Sequence, residues 1–292
     1  MNLLFLFQGV LMRSSTGLGH WLKNSVIMVL PCLLATPVMA EQPSTRLTIE
    51  QIYGQQRVRT VMVIGSASVA FLSDSNKLSS LYNSETGDLW LLDHERQLAQ
   101  QINRKEVQIF ADRLAGEVAK FEASIASLPD DERALSMKRF EQLFEPANQR
   151  ASRQVDEFLP QGRAGEFAGI PCQWHDMVEH QSTGDKLLGV ACLAETQLVS
   201  QGQVLTSFFS DLVAFSDIVK NADTGPIQFP VMGNLMALPS GPEMMAIKIS
   251  NSPDLSNRKA EMEVISASTE LHSSDQYQIP AGYRQQRFSE PL

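Results

Sequence analysis

No run of this 292-residue chain reaches the twenty or so consecutive apolar residues that a membrane-spanning helix needs. Three cysteines and five histidines are present, and no two cysteines have C-x-x-C spacing. That removes the sequence basis for a dithiol redox motif or a paired-cysteine zinc site. There is no G-x-S-x-G elbow, no phosphate loop and no dinucleotide fingerprint, so no motif implies a cofactor. Positive charge is also scarce: 24 Lys and Arg stand against 33 Asp and Glu, without a basic cluster. Nucleic acid and anionic membrane faces both need clustered positive charge, and this chain does not offer it. It has no internal repeat and no low-complexity tract.

What is there begins with an export signal. Residues 26–34, VIMVLPCLL, form a short apolar core behind Arg13 and Lys23 and ahead of ATPVMA. Val38 and Ala40 place small residues at −3 and −1, which predicts cleavage after Ala40. The first twelve residues are apolar and uncharged, and Met12 precedes Arg13, so translation is expected to start at Met12. Cys32 lies inside the apolar core behind Leu30 and Pro31, which does not fit lipid attachment. The chain is therefore expected in the periplasm, soluble after cleavage. Losing the leader's two basic residues deepens its formal charge from −9 to −11.

Residues 41–292 are expected to form a single α+β domain. Short β-compatible runs at 47–52, 58–64, 68–72, 78–82 and 88–92, broken by polar turns, predict an antiparallel meander. The period then changes. Phe110, Leu114, Val118, Phe121, Ile125 and Leu128 share a helical face, predicting a helix over 105–126. Pro129 with Asp130, Asp131 and Glu132 signals a second helix start, with Leu135, Phe140 and Leu143 inward and Glu145-Pro146 as its end. These two helices make an insert at about 105–145. A third helix is predicted over 204–221, and strands at 245–250 and 261–266. Between the insert and the third helix, QSTGDK reads as a turn joining IPCQWHDMV to LLGVACLA. Such a hairpin brings Cys172 towards Cys192, and an oxidising compartment favours their disulfide. A tight turn at Thr183-Gly184 leaves the two offset by about three residues, so the pairing requires a bulge or a longer loop.

Few residues suggest chemistry. His175, Asp176, Glu179 and His180 are the one concentration of metal-ligand types, but on a strand His175 and His180 point to opposite faces. Ser256 and Lys259 have S-x-x-K spacing without its companion motifs. The apolar signal is stronger. Phe208, Phe209, Leu212 and Phe215 share the third helix, and Met232, Met236 and Met244 lie in or beside a proline-rich stretch. Met adapts to varied apolar partners, so these seven are the candidate apolar ligand-binding residues. They equally suit a core, and the frequency of apolar residues in cores favours that.

Four segments carry a resemblance: DLWLLDHERQL, ASLPDDERA, AGIPCQWHDMVEH with GVACLAE, and the late IPAGY. Together they resemble a family of exported bacterial proteins of unknown function, related to the LolA-like fold of periplasmic lipoprotein carriers. The resemblance spans about 46–288. It implies a curved antiparallel sheet, a half-open β-barrel, with helices packed on or inside it. It also implies a non-enzymatic carrier or binding protein for a lipid, a lipoprotein or an apolar peptide. An envelope protein-interaction factor docking through the helical insert is the alternative, and a hydrolase is a third.

Overall fold

The computed structural model describes residues 42–53, 56–151, 155–222, 241, 243–250, 261–272 and 278–290. The leader expectation, with Met12, Cys32 and Ala40, lies outside them. No helix among the described residues is long and apolar enough to cross a membrane.

The fold is α+β. Strands β1 (Gln42–Tyr53), β2 (Gln56–Ile64), β3 (Ser68–Leu72), β4 (Leu78–Asn83) and β5 (Asp88–Asp93) form the expected antiparallel meander, and β6 (Leu98–Ile102), which was not expected, extends it. Two of its turns share one design. Asn83 Oδ1 accepts from the backbone N–H of Glu85 at 2.8 Å and of Thr86 at 3.3 Å. Asp93 Oδ1 accepts likewise from Glu95 and Arg96, both at 3.0 Å. Gly87 and Gln97, four residues on from each, take left-handed φ values of 69° and 47°. Side-chain acceptors of this kind stand in for turn backbone, which is why Asn and Asp open both.

Helix α1 (Arg104–Ile125) follows, capped by Asn103, whose side chain accepts from the Glu106 N–H at 3.0 Å. Helix α2 (Asp130–Ala151) reaches back through Arg133, which donates to the carbonyls of Ala126 and Leu128 at 3.2 and 3.1 Å. Two expectations about α2 need correction. It does not end at Glu145-Pro146 but runs through to Ala151: proline removes one N–H and strains one turn without forcing an end. Leu135 does not face inward; it is 50% exposed, whereas Phe140 stacks on Phe121 of α1 with ring centroids 4.3 Å apart.

The second half comprises β7 (Glu157–Phe167), β8 (Ile170–Gln181), β9 (Gly184–Glu195), a 3-10 turn over Thr196–Leu198, α3 (Gly202–Asn221), β10 (Met244–Ser250), β11 (Met262–His272) and β12 (Arg284–Arg287). Gly202 opens α3 because a Cβ there would sit 1.8 Å from the Thr196 carbonyl oxygen. All twelve strands join one open sheet in the order β12-β6-β5-β4-β3-β2-β1-β11-β10-β9-β8-β7. It is antiparallel except where β12 runs parallel to β6. In a flat sheet β7 and β11, four places apart, would lie about 19 Å from one another. Their Cα atoms instead approach within 8 Å, so this end of the sheet curls over. The main core lies between the sheet and α3, with Leu47, Met62, Ile64, Tyr82, Leu205, Phe208 and Phe209 among its buried members.

Candidate functional site

The curl of β7 to β11 encloses the most distinctive chemistry of the fold. Directly opposed residues on neighbouring strands share a face. Glu263, Lys248, Cys192 and Trp174 are opposed in turn across β11, β10, β9 and β8, so they form one row. Cys172 lies two residues from Trp174, on that same face. The Cys172–Cys192 disulfide is present, with Cα atoms 5.4 Å apart. As the sequence required, a bulge makes it possible: the β8–β9 register shifts between Met177 and Val178. The turn itself falls one residue earlier than expected, with Gln181 opposite Gly184.

Around the disulfide, aromatic rings and cations alternate. Phe167 meets Trp174 edge-on with centroids 5.9 Å apart. The Arg163 guanidinium lies 4.7 Å from the Trp174 ring, and Lys248 Nζ lies 4.5 Å from the Phe167 ring. Lys248 also pairs with Glu263 at 2.8 Å, both side chains mostly covered. Gly165 permits this closeness. A Cβ on it would stand 2.8 Å from Trp174 Nε1 and 2.9 Å from Cys192 Sγ. The site is thus lined by apolar rings and sulfur, with one compensated ion pair and one exposed guanidinium at its side. Rings flanked by cations suit a ligand with an apolar body and an anionic end.

A second constellation ties α3 to the meander. Tyr82 Oη donates to Asp211 Oδ2 at 2.7 Å, and Arg104 Nε and Nη2 donate to Asp211 Oδ1 at 3.0 and 2.8 Å. Burial first, then the hydrogen bond to the Asp211 carboxylate, hold the Tyr82 hydroxyl well above its ordinary pKa. One carboxylate thereby joins β4, the start of α1 and the middle of α3. The sequence does carry a signal for it: Asp211 is an acid set on a helix rich in Phe and Leu, a placement that calls for a partner.

The candidate apolar residues divide. Phe208, Phe209, Leu212 and Phe215 are all buried, with Phe208 packed on Phe71 and Tyr82 at centroid distances of 5.5 and 5.1 Å. Met244 is half-buried against the same core. Met232 and Met236 lie outside the described residues, as do Ser256 and Lys259.

The hairpin histidines are separated. His175 Nδ1 sits 2.9 Å from the Gln173 carbonyl oxygen. His180, at the hairpin tip, contacts Asp185 at 2.8 Å and Glu157 at 3.4 Å. Its hydrogen bond to Asp185 raises its pKa above 6.5. Among the described residues, no three of His, Cys, Asp and Glu converge as metal ligands.

No family model, curated protein or solved structure matches this chain.

Proposed function

We propose that this is a non-enzymatic binding protein or carrier of the periplasm, taking an apolar ligand: an acyl chain, the lipid of a lipoprotein, or an apolar peptide segment. The observation that carries the reading is the approach of β7 to β11, which curls one end of the sheet around Trp174, Phe167 and the disulfide, and we read that enclosed apolar face as a ligand trough. In this reading the curled sheet, with α3 packed against it, serves as a half-open, LolA-like barrel. Arg163 lies over the Trp174 ring, and in this reading it meets an anionic headgroup while the trough holds the tail.

Native mass spectrometry of protein purified from the periplasmic fraction tests the reading. The expected result is a co-purifying mass of acyl-chain size that is released by organic extraction and is reduced in Trp174→Ala. Protein that carries no such mass, and does not take up a fluorescent fatty acid, would refute it. The alternative, an envelope factor docking through α1 and α2, is favoured by one observation: Leu135 of α2 is 50% exposed.

A further inference from the structure

The segment 283–289 contributes the last strand of the sheet, yet what holds it resembles the seat of a ligand. β12 has four residues and makes the one parallel pairing among the described strands, with Arg284 opposite Leu98 and Arg287 opposite Gln101. The ladder is extended at both ends: Arg284 N–H donates to Gln97 O at 2.8 Å, and Phe288 N–H to Gln101 O at 2.9 Å. Beyond the ladder, side chains of the body read the segment individually. The Tyr283 hydroxyl hydrogen-bonds His94 Nδ1, with the two rings edge to face. Phe288 lies on Phe110 of α1 with centroids 4.8 Å apart. Arg113 donates to the Ser289 carbonyl at 2.8 Å.

Glu106 is the deciding residue. It is 3% exposed, and its carboxylate accepts both the N–H and the hydroxyl of Ser289. A glutamate three residues after a helix N-cap ordinarily turns back to the N-cap N–H. Glu106 faces the segment instead, and a buried carboxylate without donors is costly. The body thus presents a strand edge, an aromatic platform, a buried carboxylate and a guanidinium, all directed at one extended segment.

We propose that the β6 edge, with His94, Glu106, Phe110 and Arg113, is an acceptor groove for an extended peptide, and that residues 283–289 occupy it in cis as a displaceable strap. The partner is a polypeptide segment that adds as a parallel strand and presents an aromatic residue followed by a hydroxyl residue, as Phe288 and Ser289 do. Strand addition draws affinity from main-chain hydrogen bonds and specificity from the pockets beside them. The tethered strap competes at an effective concentration on the order of millimolar, so a free peptide binds the intact protein weakly. Weakening the strap while leaving the groove whole raises apparent affinity by the same factor. This inference is independent of the apolar-ligand reading, which concerns the opposite edge of the sheet.

The test uses the full mature chain and a fluorescein-labelled peptide of sequence IPAGYRQQRFSE, the chain's own residues 279–290, read by fluorescence anisotropy. Phe288→Ala in the protein should tighten peptide binding at least tenfold over wild type, and adding Phe110→Ala should abolish that gain. Binding no tighter in Phe288→Ala than in wild type, or a gain that survives Phe110→Ala, overturns the proposal. So does self-association of Phe288→Ala without peptide uptake, since the groove would then serve a second copy. Should Phe288→Ala lose its far-UV circular dichroism, Ser289→Ala decides by the same readout, with a smaller gain supporting the proposal and none refuting it.

Discussion

Removing the disulfide gives the sharpest test of how the curled end of the sheet is held. Cys172 and Cys192 are separated by 20 residues. Closing a loop of that length in the unfolded chain lowers its entropy by about 11 cal/mol/K, or about 3.3 kcal/mol at 25 °C. Both sulfurs are buried, at 4% and 0% exposure, so alanine at each position also leaves a small void beside Trp174. The loop term alone should lower Tm by about 6–13 °C for a domain of this size. Urea unfolding of Cys172→Ala/Cys192→Ala and wild type, followed by far-UV circular dichroism at pH 7, measures the difference directly. For the same reason, a thiol reductant should cleave the bond only as fast as the sheet opens. A loss below about 1 kcal/mol, with unchanged dependence on urea, would refute the reasoning. It would mean that the hairpin already holds these residues together in the unfolded ensemble, leaving the cross-link little entropy to remove.

Two further perturbations address the neighbouring constellations. Gly165→Ala places a methyl group within 3 Å of Trp174 Nε1 and Cys192 Sγ, and overpacking of this kind costs about 1–3 kcal/mol, readable as a lowered urea midpoint. Gly116→Ala, with open space around its added Cβ, should not lose stability and serves as the control. Tyr82 carries a pH dependence: its pKa is raised in the folded state, so its contribution is complete below the ordinary value of 10.0 and is lost as pH rises above it. Stability should fall by up to about 1.4 kcal/mol per pH unit there, and Tyr82→Phe, though weaker at neutral pH, should remove that part of the slope; identical slopes would refute the assignment.

Much of the fold was legible because its first half obeys simple periods. The meander alternates Met62 and Ile64, which join the main core, with Val61 and Val63, which join a second apolar cluster with Ala70, Leu72 and Leu81, and Asn83 and Asp93 announce its turns. Helices α1 and α3 were found from their apolar faces, and α2 from its start signal at Pro129 with Asp130, Asp131 and Glu132. The site was less legible. Phe208, Phe209, Leu212 and Phe215 were recognisable as one apolar face, but a face that packs on a sheet and a face that binds a ligand have the same sequence. β12 was missed because RQQR has no apolar residue; it exists by pairing with β6 and by the contacts of Tyr283, Phe288 and Ser289. Helix α2 was cut short because Pro146 is a sound stop signal that the helical backbone overrides here.

The curl has a cause that period-based reading passes over. Each of the ladders β7–β8, β8–β9 and β9–β10 contains a register shift, at Pro160/Ala164, Met177/Val178 and Ala246/Lys248. A bulge bends its strand and increases local twist, so three in succession roll the sheet over itself. The same bulges decide which side chains share the enclosed face. From the turn, Gln181 is opposite Gly184 and Val178 opposite Leu187; one residue then goes unpaired, and Met177 is opposite Gly189. Without that extra residue Cys192 would stand across from Gln173, on the other face of the sheet from Cys172, and no disulfide could form. In the sequence this appears only as a run, GVACLA, too uniformly apolar to reveal which residues face which way. The bulge at Leu188 therefore links the two properties on which the proposed trough depends: it bends the sheet around the space, and it turns the sulfurs and Trp174 into it.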